Sequence, residues 1–483
     1  MHYRKAIILG AGVLCLGTAG VSFAQEAAPA DLAQLKQMLE AQNQQIQALM
    51  NKVKDLEGKQ ADIKVAMKET NEAVAEQGKK VEKASTILTL GKGIDGLKLT
   101  GDLRLRYEAR DKTVENNSNQ DGSTGDRSRF RDRFRLGGVW TNKAENWEVG
   151  AGLATGNDNN GRSTNQDWGT SNTFAHQSVW LDYAYAKHKW ELENGAPLSL
   201  SAGQLKDNPQ VSTILTWDND LRPQGAAVAY GDWRKKDYSG PFASLGAFEV
   251  AYLSNGQVIN GSSQQDEIDE NVWWIPAQVG YKQAGETGTF MGMVGYQNLS
   301  SAYRNAAAWY GSTSQDPNNA FGGDDTDYSY NIGEAYVEYA MPMGGFEVKP
   351  YAHAAYNFGA TGDKGQGVKI PADDIESDDG KLGWLLGLDV KRAKWTASYN
   401  YCYVGANSVF GPMRDSDFGE TAGLTDTDIQ GHVLRLGYNL TANCNVGVSY
   451  MLLNRINGGS ENIGASTQAD QAQLVQLDLN YKF

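Results

Sequence analysis

From Leu97 to Phe483 apolar and polar residues alternate with a period of two, and no other feature constrains the fold as tightly. The first run puts Leu97, Leu99, Gly101, Leu103, Leu105, Tyr107 and Ala109 on one face. Lys98, Thr100, Asp102, Arg104, Arg106, Glu108 and Arg110 fall on the other. Such runs recur about sixteen times, each near the ten residues that a tilted strand needs to cross a bilayer. Residues 179–183, 382–390, 395–403 and 433–440 are clear examples. The connections alternate between long and short. Long polar ones cover about 111–126, 156–176, 206–220, 254–270, 298–327, 358–380, 406–428 and 455–470, while the short ones include TNKAEN, KQAGETG, PMGG, RAK and TAN.

A soluble sandwich has no reason to lengthen every second loop. A membrane barrel does, because short turns face the periplasm and long loops face outward. In lipid every backbone polar group needs a partner within the protein, so the sheet must close. The spacing therefore predicts an all-β antiparallel transmembrane barrel of about sixteen strands over 91–483. The closing run, LVQLDLNYKF, has Val475, Leu477, Leu479, Tyr481 and Phe483 on one face and Gln476, Asp478, Asn480 and Lys482 on the other. It reads as the strand that seals the sheet, with Tyr481 and Phe483 in the periplasmic aromatic girdle.

The first residues read differently. Arg4 and Lys5 precede an apolar stretch that ends in Ser22-Phe23-Ala24, which predicts a signal peptide over 1–24. From 32 to 81 the period is heptad. Leu32, Leu39, Ile46, Val53, Met67, Val74 and Val81 hold a positions, and Leu35, Leu49, Leu56 and Ile63 hold d positions. This predicts a periplasmic α-helical coiled coil over 25–90, roughly 75 Å long for the heptad run, and hence an oligomer. After signal removal Cys402 and Cys444 remain, on non-adjacent strands with opposite facing, so no disulfide is expected. The whole-chain charge of −14 argues against nucleic-acid binding.

A barrel of this size is too wide for side chains to fill and leaves an aqueous channel. In RSRFRDRFRL, Arg127, Arg129, Arg131, Arg133 and Arg135 share one face, while Phe130, Phe134 and Leu136 share the other with Asp132. A lipid-facing Arg near the midplane costs about 2–4 kcal/mol, so the five must face the lumen beside Arg104, Arg106 and Arg110. Two readings stand. The face is either a basic wall that attracts anions, or a ladder paired with inward acids such as Asp102 and Glu108. In 206–220, Ile214, Leu215 and Trp217 are too apolar for a free loop. Folded inward, the loop sets Asp218, Asp220 and Arg222 against the Arg wall; alternatively, Trp217 is a girdle residue. The acidic stretches GGDDTD, PADDIESDDG and MRDSDFGE read as solvated outer loops, able to favour cations at the mouth or to hold divalent ions bridging lipopolysaccharide.

With LTGDLRLRYEAR, RSRFRDRFRLG, WDNDLRPQG and the closing LNYKF, the chain resembles the putative porin family of Gram-negative bacteria that carry a coiled coil before a porin-type barrel. The resemblance implies a homotrimeric, water-filled diffusion channel in the outer membrane for small hydrophilic solutes, with no cofactor or metal. It also implies that the barrel-assembly machinery reads Tyr481 and Phe483. Two alternatives stay open: a tether in which the rod matters most, with the cell wall as partner, and a substrate-selective anion channel. An enzyme is not expected. His176, His188, His353 and His432 are the histidines after the signal, and none sits in a nucleophile, zinc or phosphate-loop motif.

Overall fold

The computed structural model describes residues 96–113, 126–156, 161–169, 174, 176–251, 271–299, 330–359, 380–456 and 471–483, with scattered positions between 36 and 58. The chain divides into two units, Met1–Leu88 and Thr89–Phe483. In the first, the described positions from Lys36 to Gly58 are helical and exposed, including Leu49 at a predicted d position. The predicted signal and most of the predicted coiled coil lie outside the described residues.

The second unit is a closed antiparallel barrel. Its strands are β1 (Leu97–Thr113), β2 (Arg127–Asn142), β3 (Trp147–Thr155), β4 (Gln166–Asp167), β5 (Val179–Glu191), β6 (Pro197–Gln204), β7 (Gln224–Tyr230), β8 (Gly240–Ala251) and β9 (Val272–Ala284). They continue with β10 (Thr289–Leu299), β11 (Tyr330–Met343), β12 (Phe346–Asn357), β13 (Leu382–Arg392), β14 (Trp395–Val404), β15 (Ile429–Asn439), β16 (Cys444–Arg455) and β17 (Gln471–Lys482). Each pairs with the next, except that β3 passes directly to β5 and the two-residue β4 lies against β2. β17 returns to β1 from Asp102 opposite Lys482 to Thr113 opposite Gln471, so sixteen strands form the wall. Connections of 2–9 residues at one end alternate with connections of 13–30 at the other.

The period of two divides the wall into two surfaces. Leu105, Val149, Leu200, Leu245, Val279, Val294, Val337, Leu386, Leu434 and Leu477 are exposed on the outside. A continuous apolar band of this extent suits hydrocarbon and is foreign to a water-facing surface. Trp147, Trp190, Phe290, Trp395, Tyr481 and Phe483 ring the short-turn end, also outward. The opposite face carries Glu108, Gln278, Glu334, His353, Asn400 and Gln476, all buried. Cys402 and Cys444, on β14 and β16, are both free thiols.

The register shifts in β8 between Glu249 and Ala251, and also within the expected run 179–183. Between Gly152 opposite Tyr183 and Leu153 opposite Leu181, Asp182 is inserted as a bulge. The extra residue buries both Asp182 and Tyr183. Tyr183 then lies across Gly137 and Gly152, where an added Cβ would meet its ring or hydroxyl at 1.9–2.3 Å. Glycine is required there because the inner wall must accept an aromatic plane.

The bore holds a core. The connection 205–223 folds inward and buries Leu215 and Trp217; the Trp217 ring stacks on Trp274 of β9 at 5.0 Å. This places Trp217 in the lumen and not in a girdle. The connection 405–428, expected as a solvated outer loop, is also inside. Phe410 and Phe418 are buried, and Arg414 is fully buried. Its segment MRDSDFGE is therefore not part of an exposed acidic mouth. The reason is its apolar content: Val409, Phe410, Met413, Phe418 and Leu424 join one cluster with Leu215, Trp217, Phe248 and Trp274. A second cluster, Val211, Phe242, Met291, Met293 and Tyr336, fills the lumen beside β8–β11. Leu215→Ala should destabilise the barrel by about 2–5 kcal/mol, because it opens a cavity between the inward loop and the wall. Urea unfolding followed by tryptophan fluorescence measures this.

Candidate functional site

The eight predicted wall arginines all point inward from β1 and β2, and pairing sorts them. Glu108 is fully buried and receives Arg127 at 3.2 Å, Arg129 at 2.5 Å and Arg131 at 3.4 Å. Asp167 of β4 bridges Arg129 and Arg131, at 2.6 and 2.5 Å. Asp102 accepts from Arg133 Nη2 and Arg135 Nε, each at 2.8 Å. Arg106 makes a two-toothed pair with Asp478 of β17, at 2.7 and 2.9 Å, and reaches Asp417 of the 405–428 loop at 3.2 Å. Arg110 and Arg127 donate to the Thr421 carbonyl, at 3.3 and 3.2 Å. The ladder reading of the wall thus has physical content. Lining up guanidiniums in a low-dielectric wall requires a carboxylate beside nearly every one. Asp132, on the outer face, accepts from the Trp168 indole at 2.5 Å and from Gln177 at 2.7 Å.

The inward loops knit to each other and to the far wall. Asp218 N–H donates to the Met413 carbonyl at 2.7 Å, and Ser416 N–H donates to Asp218 Oδ2 at 2.9 Å. Arg414 Nε donates to the Leu215 carbonyl at 3.0 Å. From the third connection, 156–178, Arg162 pairs with Glu420 at 2.5 Å and Asp426 at 2.9 Å. Thr164 donates its N–H and hydroxyl to Asp220 Oδ2, at 3.4 and 3.2 Å. Across the bore, Val211 N–H donates to Gln278 Oε1 at 2.7 Å, while His353 holds Thr213 through Nδ1 at 2.8 Å and Glu334 through Nε2 at 3.3 Å. His353 is thus a bolt for the loop.

What stays open is a cavity of about 760 Å³ between the first strands and these loops. Arg104, Arg133 and Arg135 line it together with Asp218, Asp220, Asp415 and Asp417; Asp220 reaches Arg135 at 3.5 Å, and Asp417 reaches Arg106 at 3.2 Å. Arg222 lines it too, locked to the bulge residue Asp182 at 2.9 and 3.2 Å. The lining holds seven acidic and seven basic side chains, so the cavity is nearly neutral yet crossed by a field. Arg106, Arg110, Arg127, Arg129, Arg131 and Trp217 do not line it. The 405–428 loop covers Arg106, Arg110 and Arg127, and Asp167 of β4 meets Arg129 and Arg131, which sequence reasoning did not foresee. Burial, with the Asp415 and Asp220 carboxylates nearby, pushes the Asp218 carboxyl well above the usual range. Tyr481 and Phe483 lie at the short-turn end, where Phe483 exchanges backbone hydrogen bonds with Gly101 at 2.8 and 3.0 Å.

Sequence reasoning also missed Arg162, Asp415 and Asp417. Phe410, Met413 and Phe418, as apolar anchors within a nominally polar connection, were the available signal for the last two. Glu108→Gln should cost about 3–5 kcal/mol, because it leaves buried guanidiniums without their shared carboxylate. A shift of the urea midpoint reads this, and adding Arg129→Gln should recover part of it.

Residues 112–319 match the family model described as putative porin. Among solved structures, the outer membrane channel DcaP of Acinetobacter baumannii aligns with TM-score 0.41 and 14% identity, over 80% of this chain and 97% of that one. Salmonella typhi OmpF, in complex with daunomycin, aligns with TM-score 0.43 and 13% identity, over 80% and 98%. No curated protein matches the chain in sequence.

Proposed function

We infer that this chain, a porin by the family match over residues 112–319, is an outer-membrane channel that passes small hydrophilic solutes and ions by diffusion. One observation carries this reading: a closed sixteen-stranded wall, apolar outside, encloses a charged cavity beside the loop-filled part of its lumen. The outer band meets lipid, and the water-filled bore is narrowed by the inward loops.

Solutes pass beside Arg104, Arg133 and Arg135 and the neighbouring carboxylates of Asp218 and Asp220. These opposite charges orient dipolar solutes and favour neither ion strongly. Trp217 and His353 hold the loop in place. The remaining wall arginines set ion preference only indirectly, by keeping Glu108, Asp167 and Asp478 compensated. Tyr481 and Phe483 serve barrel insertion, and the channel works as a homotrimer with the rod of 25–90 in the periplasm.

Replacing Arg104, Arg133 and Arg135 together by Gln should move the reversal potential of the purified oligomer in a salt gradient toward cations. The same triple change at Arg110, Arg127 and Arg129 should move it less. No difference between the two sets removes the constriction assignment. The pH dependence has a definite sign. Below its raised pKa Asp218 is neutral, and above it the cavity gains a negative charge. Raising pH through that range should shift the reversal potential toward cations, and Asp218→Asn should remove part of the shift.

A further inference from the structure

Arg104 breaks the pairing rule that governs the rest of the wall. Of the guanidiniums that line the cavity, Arg133 and Arg135 are held by Asp102, Arg162 by Glu420 and Asp426, and Arg222 by Asp182. Among the described residues, no carboxylate lies within salt-bridge distance of Arg104. Its Nη2 donates to Asn165 Oδ1, and its Nε is shut off from solvent without an acceptor. A guanidinium presents its donors as a planar fork that matches a carboxylate. The Asp220, Asp417 and Asp478 carboxylates act on Arg104 only from beyond salt-bridge distance, and leaving the fork without a direct acceptor is costly unless something arrives to meet it.

We propose that Arg104 is a fixed anion site in the constriction, and that its ligand is a small monocarboxylate. The inference rests on the channel reading and deepens it. Two observations choose the ligand. First, Arg104 is the one guanidinium of the lining without a carboxylate at salt-bridge distance among the described residues, so the site offers a single positive charge and suits a singly charged ligand. A doubly charged phosphate or sulfate would bring a second negative charge beside Asp218, Asp220 and Asp417, which line the same cavity. Second, Asn165 and Ser163 line the cavity beside the fork, and Asn165 Nδ2 donates to Ser163 Oγ at 3.2 Å. That hydroxyl is a donor for a second carboxylate oxygen. A transient stop of this kind raises the local concentration of the anion without trapping it, because the neighbouring carboxylates disfavour long residence.

The test uses the full-length oligomer, with propionate and inorganic phosphate as probes at pH 7.5. Two readouts are taken: block of the chloride current in a planar bilayer, and saturation-transfer NMR on the detergent-solubilised protein. Propionate should block saturably and at lower concentration than phosphate. Arg104→Gln should raise the half-blocking propionate concentration about tenfold, as expected for loss of a charge-assisted hydrogen bond. Arg133→Gln removes the same formal charge from the same cavity, yet from a guanidinium already paired, and should raise it less than about threefold. Arg104→Lys, a point charge without the fork, should fall between. Equal effects of Arg104→Gln and Arg133→Gln would overturn the site in favour of a diffuse field, and so would tighter block by phosphate. Current without propionate saturation transfer also sinks the site. Saturation transfer lost in Arg104→Gln, in a protein that carries no current, keeps the site and sinks the channel reading.

Discussion

Every other feature depends on the ladder between the first and last strands. A sheet in hydrocarbon has no water to satisfy an open edge, so each N–H and C=O must find a partner within the wall. The twelve residue pairs that join β17 to β1 remove both edges at once. They also bring Asp478 beside Arg106, and Gln476 beside Glu108 at 3.2 Å. The pairing that seals the barrel thus supplies one of the carboxylates that neutralise its basic face. Closure and charge compensation are one structural event here.

The inside follows from a mismatch of size. Sixteen strands enclose more space than inward side chains can fill. Two long connections enter that space because they carry residues that water would not hold. Their apolar anchors join wall residues from β7 to β17, and the second cluster lies against β8, β10 and β11. The open volume is therefore displaced toward β1, β2 and β5, where the Arg face, the bulge at Asp182 and the loop carboxylates meet. Position in the bore, more than identity, decides which arginines reach the cavity. Arg104 and Arg106 are two residues apart on one face; the first lines the cavity and the second is covered by Asp417.

Much of the wall was legible in the sequence, because alternation is a local property. Each strand declares its two faces without reference to any other, and the long-short rhythm of connections declares the two ends. Leu382–Arg392 and Trp395–Val404 fall within two residues of the expected runs. The acids Asp102 and Glu108 were legible as partners of the Arg face because register follows once strands one and two are neighbours. The bulge at Asp182 was not, since a single inserted residue leaves composition and pattern almost unchanged.

The sequence alone determined a two-faced ribbon repeated about sixteen times, the inward placement of five alternating arginines, and the apolar content that makes Leu215 and Trp217 unfit for water. Only the tertiary structure decided what occupies the lumen. The contacts that place the plug join Arg162 to Asp426, Asp218 to Ser416 and Arg414 to Leu215, across separations of about two hundred residues or more. No local pattern encodes which of eight long connections turns inward or which acid reaches which guanidinium. Those choices arise from competition among distant groups for one enclosed volume, and the barrel creates that volume only when it closes.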